Sequence, residues 1–337
     1  MITPILYDVT LRDGSHANQH SFTSDFCSTY IDSAYAAGLR LIEVGHGNGL
    51  GGSSLHIGRL KDENLWSTVA QKTAQYNDLR IGAHVIPGLA TFDDIQLAIS
   101  SGVGIFRIAC HCTEADTTET YIEYAANRDQ EVWGLLMMAH MINPDHLARE
   151  AKKLESYGAT RIVFLDSAGA LTPKRVQHIT QEIRAVVDIP LGFHAHNNLH
   201  AAIANSLAAI EAGCTSIDAC ARGYGAGAGN LSLEAFVALL EKDEQRTGLD
   251  VRKLTDLACL IETTYPTSLP KVDSLSTATG FYGVFSGFKP KILEAAEAYQ
   301  VSTMDIIAEL GAAQVIAGQE DQIIATASQL AKQATNS

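Results

Sequence analysis

Two short stretches carry residues whose types and spacing could do chemistry. Residues 8–22 read DVTLRDGSHANQHSF, so a β-prone run delivers Arg12, Asp13 and His16 to one spot. Residues 194–199 read HAHNNL, which sets His194 and His196 two apart. On a strand, a period of two points both imidazoles to the same side. Such polar groups are costly to bury unless they pair or hold a metal. The first stretch is therefore either a satisfied polar knot at a strand end or the beginning of an active site. His194 and His196 are either core histidines or, with Asp13, ligands of a divalent ion. Two imidazoles and one carboxylate leave coordination positions open, and suit Mn²⁺, Fe²⁺, Co²⁺ or Zn²⁺ better than Ca²⁺. Asn230 is a further candidate for the metal or for a water on it.

The elements that must position these residues are legible from the pattern. Eight β-rich runs recur at 5–11, 41–45, 80–86, 104–110, 132–139, 161–166, 191–196 and 216–221, each followed by a stretch of helical spacing. Ile203, Leu207 and Ile210 fall on one helix face, with Gly213 where a C-terminal glycine belongs. Pro144 and Pro173 stand near two other helix starts. Strand–helix alternation implies parallel strands with right-handed crossovers, and eight units of this size match an α/β (β/α)₈ TIM barrel. A doubly wound open sheet is the runner-up. In a barrel, chemistry gathers at the C-terminal ends of the strands. With only the eighth strand between the first and the seventh, Asp13, His194 and His196 converge there. Glu43, His46, Arg107, His111, Asp166 and Ser167 fall near other strand ends. The expected division is a barrel over 1–250 and a small C-terminal helical domain over 251–337. Within the latter, 290–300, 302–310 and 321–333 read as helices, with Ser302 an N-cap and Gly311 a stop.

Composition excludes several classes. The chain of 337 residues is 46% hydrophobic with a formal net charge of −14, which argues against a nucleic-acid partner. Six scattered cysteines suit a reduced, cytoplasmic protein, and Cys110-His111-Cys112 lacks a second pair at zinc-site spacing. No basic leader and no long apolar run suggest export or membrane insertion. GYGAGA (223–228) satisfies the dinucleotide fingerprint, but the acidic residue expected at the end of a following strand is absent. None of the eleven lysines ends a barrel strand, which removes Schiff-base aldol chemistry and leaves a metal as electron sink.

TLRDGSHA (10–17), EVGHGNGLGGSS (43–54), HCTEAD (111–116), LLMMAHM (135–141), DSAGA (166–170), HAHNNL (194–199), GAGAGN (225–230) and GQEDQI (318–323) occur in this order. Together they resemble the 4-hydroxy-2-oxovalerate aldolases, metal-dependent pyruvate aldolases of aromatic meta-cleavage pathways, over essentially the whole chain. The resemblance implies that Asp13, His194 and His196 bind the metal, normally Mn²⁺ with Co²⁺ or Mg²⁺ as alternatives. It makes His16 the base for the C4 hydroxyl, Arg12 the stabiliser of the pyruvate enolate, and Ser167 a neighbour of bound pyruvate. It implies a C-terminal communication domain, an acylating acetaldehyde dehydrogenase as partner with substrate channelling, and an oligomer. The substrates would be a 4-hydroxy-2-oxo acid, pyruvate and a short aldehyde. One departure stands out: the family's GYAGVYSSF reads GFYGVFSGF over 280–288, so two tyrosines become Phe281 and Phe285. Tyr282 is the candidate substitute for substrate binding. A Claisen-type condensation with an acyl-CoA, and a non-catalytic partner of the dehydrogenase, are the competing expectations.

Overall fold

The computed structural model describes residues 3–55, 58 and 62–335. Eight strands, β1 (Ile5–Leu11), β2 (Leu41–Val44), β3 (Arg80–Val85), β4 (Val103–His111), β5 (Glu131–Met137), β6 (Arg161–Asp166), β7 (Leu191–Ala195) and β8 (Ser216–Ala219), form a closed barrel in chain order. All pairs are parallel, and β1 closes the ring on β8 through Tyr7 opposite Asp218. The expected (β/α)₈ architecture is therefore the observed one, and the chain is not an open doubly wound sheet.

Strand alternation explains why it closes. Tyr7, Val9, Ile105, Ala109, Trp133, Leu135, Val163 and Leu165 point inward and fill the lumen. Strand residues of the opposite register, such as Ile42, Ile81, Phe106, Ile162 and Phe193, face outward into a larger cluster beneath the helices. Those helices are α1 (Ser24–Ala36), α2 (Asp62–Gln75), α3 (Phe92–Ser100), α4 (Glu119–Ala126), α5 (Pro144–Ser156), α6 (Pro173–Arg184), α7 (Ala202–Ala212) and α8 (Leu233–Lys242). Pro144 and Pro173 open α5 and α6, and Gly213 closes α7 at a φ of +113° that an L side chain resists.

α9 (Val251–Thr264) packs against α1, and its Leu254, Leu257 and Ile261 join the barrel's outer cluster. A separate apolar cluster unites α10 (Ser274–Tyr282), α11 (Lys289–Tyr299), α12 (Thr303–Ala312) and α13 (Asp321–Thr335) around Ile292, Ile306, Ile307 and Ile323. We propose that the two domains divide between α9 and α10 rather than at residue 250. Ser302 caps α12 through Met304 and Asp305, as expected. Gly311 does not stop it; the glycine lies inside the helix, where a Cβ would come within 2.5 Å of the Tyr282 carbonyl oxygen. Its smallness lets α10 and α12 approach. Among the described residues no helix is long and apolar enough to cross a membrane.

Candidate active site

Asp13 follows β1 in a short 3₁₀ turn over Asp13–His16, and His194 and His196 lie at the end of β7. All three are at least nine-tenths buried, at 4%, 1% and 5% exposure. One ligand atom from each lies within 4.8 Å of the others. The Asp13 carboxylate accepts from the Ala226 N–H (3.0 Å) and from Arg12 Nη1 (3.2 Å). Burial alone would raise its pKa, but Arg12 and then His196 and His194 hold it well below the carboxylate range. Burial lowers His196 to about 4, so its imidazole is neutral. An ionised carboxylate beside a neutral imidazole is the state in which these groups ligate.

Several buried polar atoms here have no hydrogen-bond partner: Arg12 Nη2, His194 Nε2, His196 Nδ1 and Asn230 Oδ1. Orphaned groups are costly in a finished interior. A divalent ion between Asp13, His194 and His196 answers the two imidazoles, so the donor set fits that group. The Asn230 amide donates to Cys220 Sγ (3.2 Å), and its residue bridges His196 across the mouth. His194 Nδ1 is 3.0 Å from Asp218 Oδ2, a pairing that leaves Nε2 for a ligand.

Arg12 is held on two sides. Its Nε donates to Glu43 (2.8 Å) and its Nη1 to Asp13, leaving Nη2 free. His16 follows in the same turn. Burial, with Arg12 and His46 nearby, lowers it to about 4 against the pull of Asp13. Its ring meets His20 edge-on at 4.8 Å, and His20 stacks on His46 at 3.9 Å. A cleft of about 1060 Å³ reaches His16 and His20 between the Gly225–Gly227 loop and the start of the C-terminal helices.

Ser167 lies one residue beyond the Asp166–Ala195 pair of β6 and β7. Its hydroxyl accepts from the Met138 N–H (3.0 Å). It lines a second cavity, of about 210 Å³, with Met137, Met138, His111, Phe285, Ile316 and Ala317 among the walls. Tyr282 does not line that cavity. It ends α10, Gly283 then turns the chain at φ +69°, and Ser286 N–H bonds to the Ser167 carbonyl (3.3 Å). That turn brings Phe285 to the mouth and leaves Tyr282 in a surface cleft with His140, Thr172 and Phe281. Tyr282 thus stands outside the cavity that Ser167 and Phe285 line.

Sequence reasoning assigned no role to four residues. Glu43 and Arg107 were noted only as strand-end groups, whereas both are fully buried and paired (3.2 Å) below the mouth. Asp218 was read as part of a strand, although an acid at the inward register of β8 is itself a signal. Asn198 is 1% exposed and joins the domains: it donates to Thr279 (3.0 Å) and accepts from Ser286 (2.7 Å).

The barrel and this site define a class, the HMGL-like fold family, whose profile matches residues 3–261. A DmpG-like communication domain matches residues 270–332. The 4-hydroxy-2-oxovalerate aldolase of Pectobacterium atrosepticum is 43% identical over 99% of this chain and 97% of that relative. Those of Streptomyces tendae and Spirochaeta aurantia are each 44% identical, over 96% and 95% of this chain and 90% and 94% of theirs. The chain belongs to the 4-hydroxy-2-oxovalerate aldolase family. The carboxyl transferase domain of Rhizobium etli pyruvate carboxylase superposes with a TM-score of 0.83 at 17% identity, covering 98% of this chain and 60% of that one, which shows a shared fold.

Proposed function

We propose that the protein is a class II pyruvate aldolase that reversibly cleaves 4-hydroxy-2-oxovalerate, or a close 4-hydroxy-2-oxo acid, to pyruvate and acetaldehyde or another short aldehyde. The observation that carries this reading is the buried convergence of Asp13, His194 and His196 beside the free Nη2 of Arg12. Mn²⁺ is the ion we assign, and when bound it would polarise the 2-oxo group of the substrate. Arg12 supplies a permanent positive charge, and its free N–H is placed to receive the oxygen on which enolate charge develops. His16, neutral above about pH 4, takes the C4 hydroxyl proton as the C3–C4 bond breaks. The aldehyde leaves with C4, and the carbanion equivalent at C3 is later protonated to give pyruvate. Ser167 would stand beside the pyruvate half, and the mostly apolar cavity it lines would take the short chain beyond C4.

The communication domain supports an acylating aldehyde dehydrogenase as partner; we further propose that the aldehyde is channelled to it in an oligomeric, cytoplasmic complex of aromatic catabolism. The direct test is pyruvate release from 4-hydroxy-2-oxovalerate with Mn²⁺, coupled to lactate dehydrogenase. EDTA should abolish release and Mn²⁺ restore it. No pyruvate from any 4-hydroxy-2-oxo acid refutes the reading, and thiol release from acetyl-CoA with a 2-oxo acid would assign a Claisen condensation instead.

A further inference from the structure

Arg107 lies inside the barrel, is fully buried, and touches neither the metal ligands nor the mouth cavities through any hydrogen bond of its own. Its two terminal nitrogens go to different carboxylates: Nη1 to Glu43 Oε2 (3.2 Å) and Nη2 to Asp218 Oδ2. Each of those oxygens is shared with a site residue. Glu43 Oε2 also accepts from Arg12 Nε (2.8 Å), and Asp218 Oδ2 also meets His194 Nδ1 (3.0 Å). Asp13 completes the circuit, with Arg12 Nη1 at 3.2 Å and His194 Nε2 at 3.6 Å. Below, the guanidinium rests on Tyr7 and Trp133, at 4.5 and 5.4 Å from the ring centroids.

We propose that Arg107 is a positioning residue that holds the metal-binding half and the enolate-binding half of the site in one frame. Through Asp218 it fixes the tautomer and plane of His194, so that Nε2 faces the ion. Through Glu43 it fixes Arg12, so that Nη2 alone remains for the substrate. A planar fork holds two carboxylates in fixed relative directions, which the rotatable ammonium of a lysine does not impose. Glu43 also pairs with Arg12, but among the described residues Arg107 alone pairs with both Glu43 and Asp218.

The enolate half of this inference rests on the proposed aldolase reaction; the metal half does not. Apo-protein is titrated with Mn²⁺ against a fluorescent chelator, the visible spectrum of the Co²⁺-loaded protein is recorded, and kcat is measured at saturating Mn²⁺. Arg107→Met should weaken Mn²⁺ binding about 10–100-fold, the size of effect seen for groups that orient metal ligands. It should also shift the Co²⁺ bands and lower kcat, and Arg107→Lys should recover only part of each. A folded Arg107→Met protein showing one defect without the other, or neither, overturns the proposal. Should that variant not fold, Asp218→Asn and Glu43→Gln carry the test. Each is expected to show both defects, and either one confined to its own half of the site overturns the frame. If the wild-type protein cleaves no 4-hydroxy-2-oxo acid, the aldolase reading fails while Mn²⁺ affinity and the Co²⁺ spectrum still decide the role of Arg107.

Discussion

Acidification of the metal-free protein from pH 8 to pH 5 should cost stability. Burial lowers His16 and His196 to about 4 and His20 and His84 to about 3. In the unfolded chain these imidazoles take up protons near pH ~6.5. A depressed folded pKa means that stability is full above that value and is lost as pH falls toward the folded pKa. Each histidine then withdraws about 1.4 kcal/mol at pH 5.5 and about 2 kcal/mol at pH 5 relative to pH 8. Asp166 and Asp8 act the other way, because burial raises them to about 7 and about 6. They return about 2 and about 1 kcal/mol at pH 5.5. The histidines win, leaving a net loss of about 3 kcal/mol at pH 5.5 and about 4 kcal/mol at pH 5. At roughly 2 °C per kcal/mol for a chain of this size, Tm should fall by about 6 °C between pH 8 and pH 5.5. The assay is thermal unfolding in EDTA at fixed ionic strength, followed by circular dichroism. A Tm at pH 5.5 equal to or above that at pH 8 would refute the assignment of these imidazoles as neutral and buried.

Other perturbations separate the roles of individual residues. His16→Asn should lower kcat by about 10²–10⁴-fold while Mn²⁺ affinity stays at the wild-type value, because the base is not a ligand; an equal loss of Mn²⁺ binding would contradict that division. Asn198→Ala removes the partners of Ser286, Thr279 and the Ser276 carbonyl, and should cost about 3 kcal/mol, read as a fall in urea midpoint at unchanged m-value. Phe285→Tyr places a phenol in the cavity that holds Ser167, and should change the ratio of C4 enantiomers formed from pyruvate and propanal. Chiral chromatography showing the same ratio as wild type would remove Phe285 from stereocontrol.

Much of this was legible in the sequence because it depends on local period. Each strand end announced itself, since inward and outward residues alternate and glycines or prolines punctuate the helices. Arg12, Asp13 and His16, and the His194–His196 pair, share one strand end each, so their convergence required only the barrel. Arg107 and Asp218 are 111 positions apart, and their contact depends on which lumen layer each occupies, a quantity that no short stretch encodes. The placement of Tyr282 was not legible for a different reason. A helix end and one glycine turn decide whether residue 282 or residue 285 faces the mouth, and both are aromatic.

The buried circuit also dictates an order of assembly. Asp13, Glu43 and Asp218 meet two permanent cations, Arg12 and Arg107, so the acids outnumber the guanidinium groups in this chamber. A monoanionic oxo acid arriving first would meet like charge in a dry interior, where repulsion is poorly screened. A divalent cation reverses the sign, and the acid then restores neutrality. On this balance the chamber favours the ion first and the acid second.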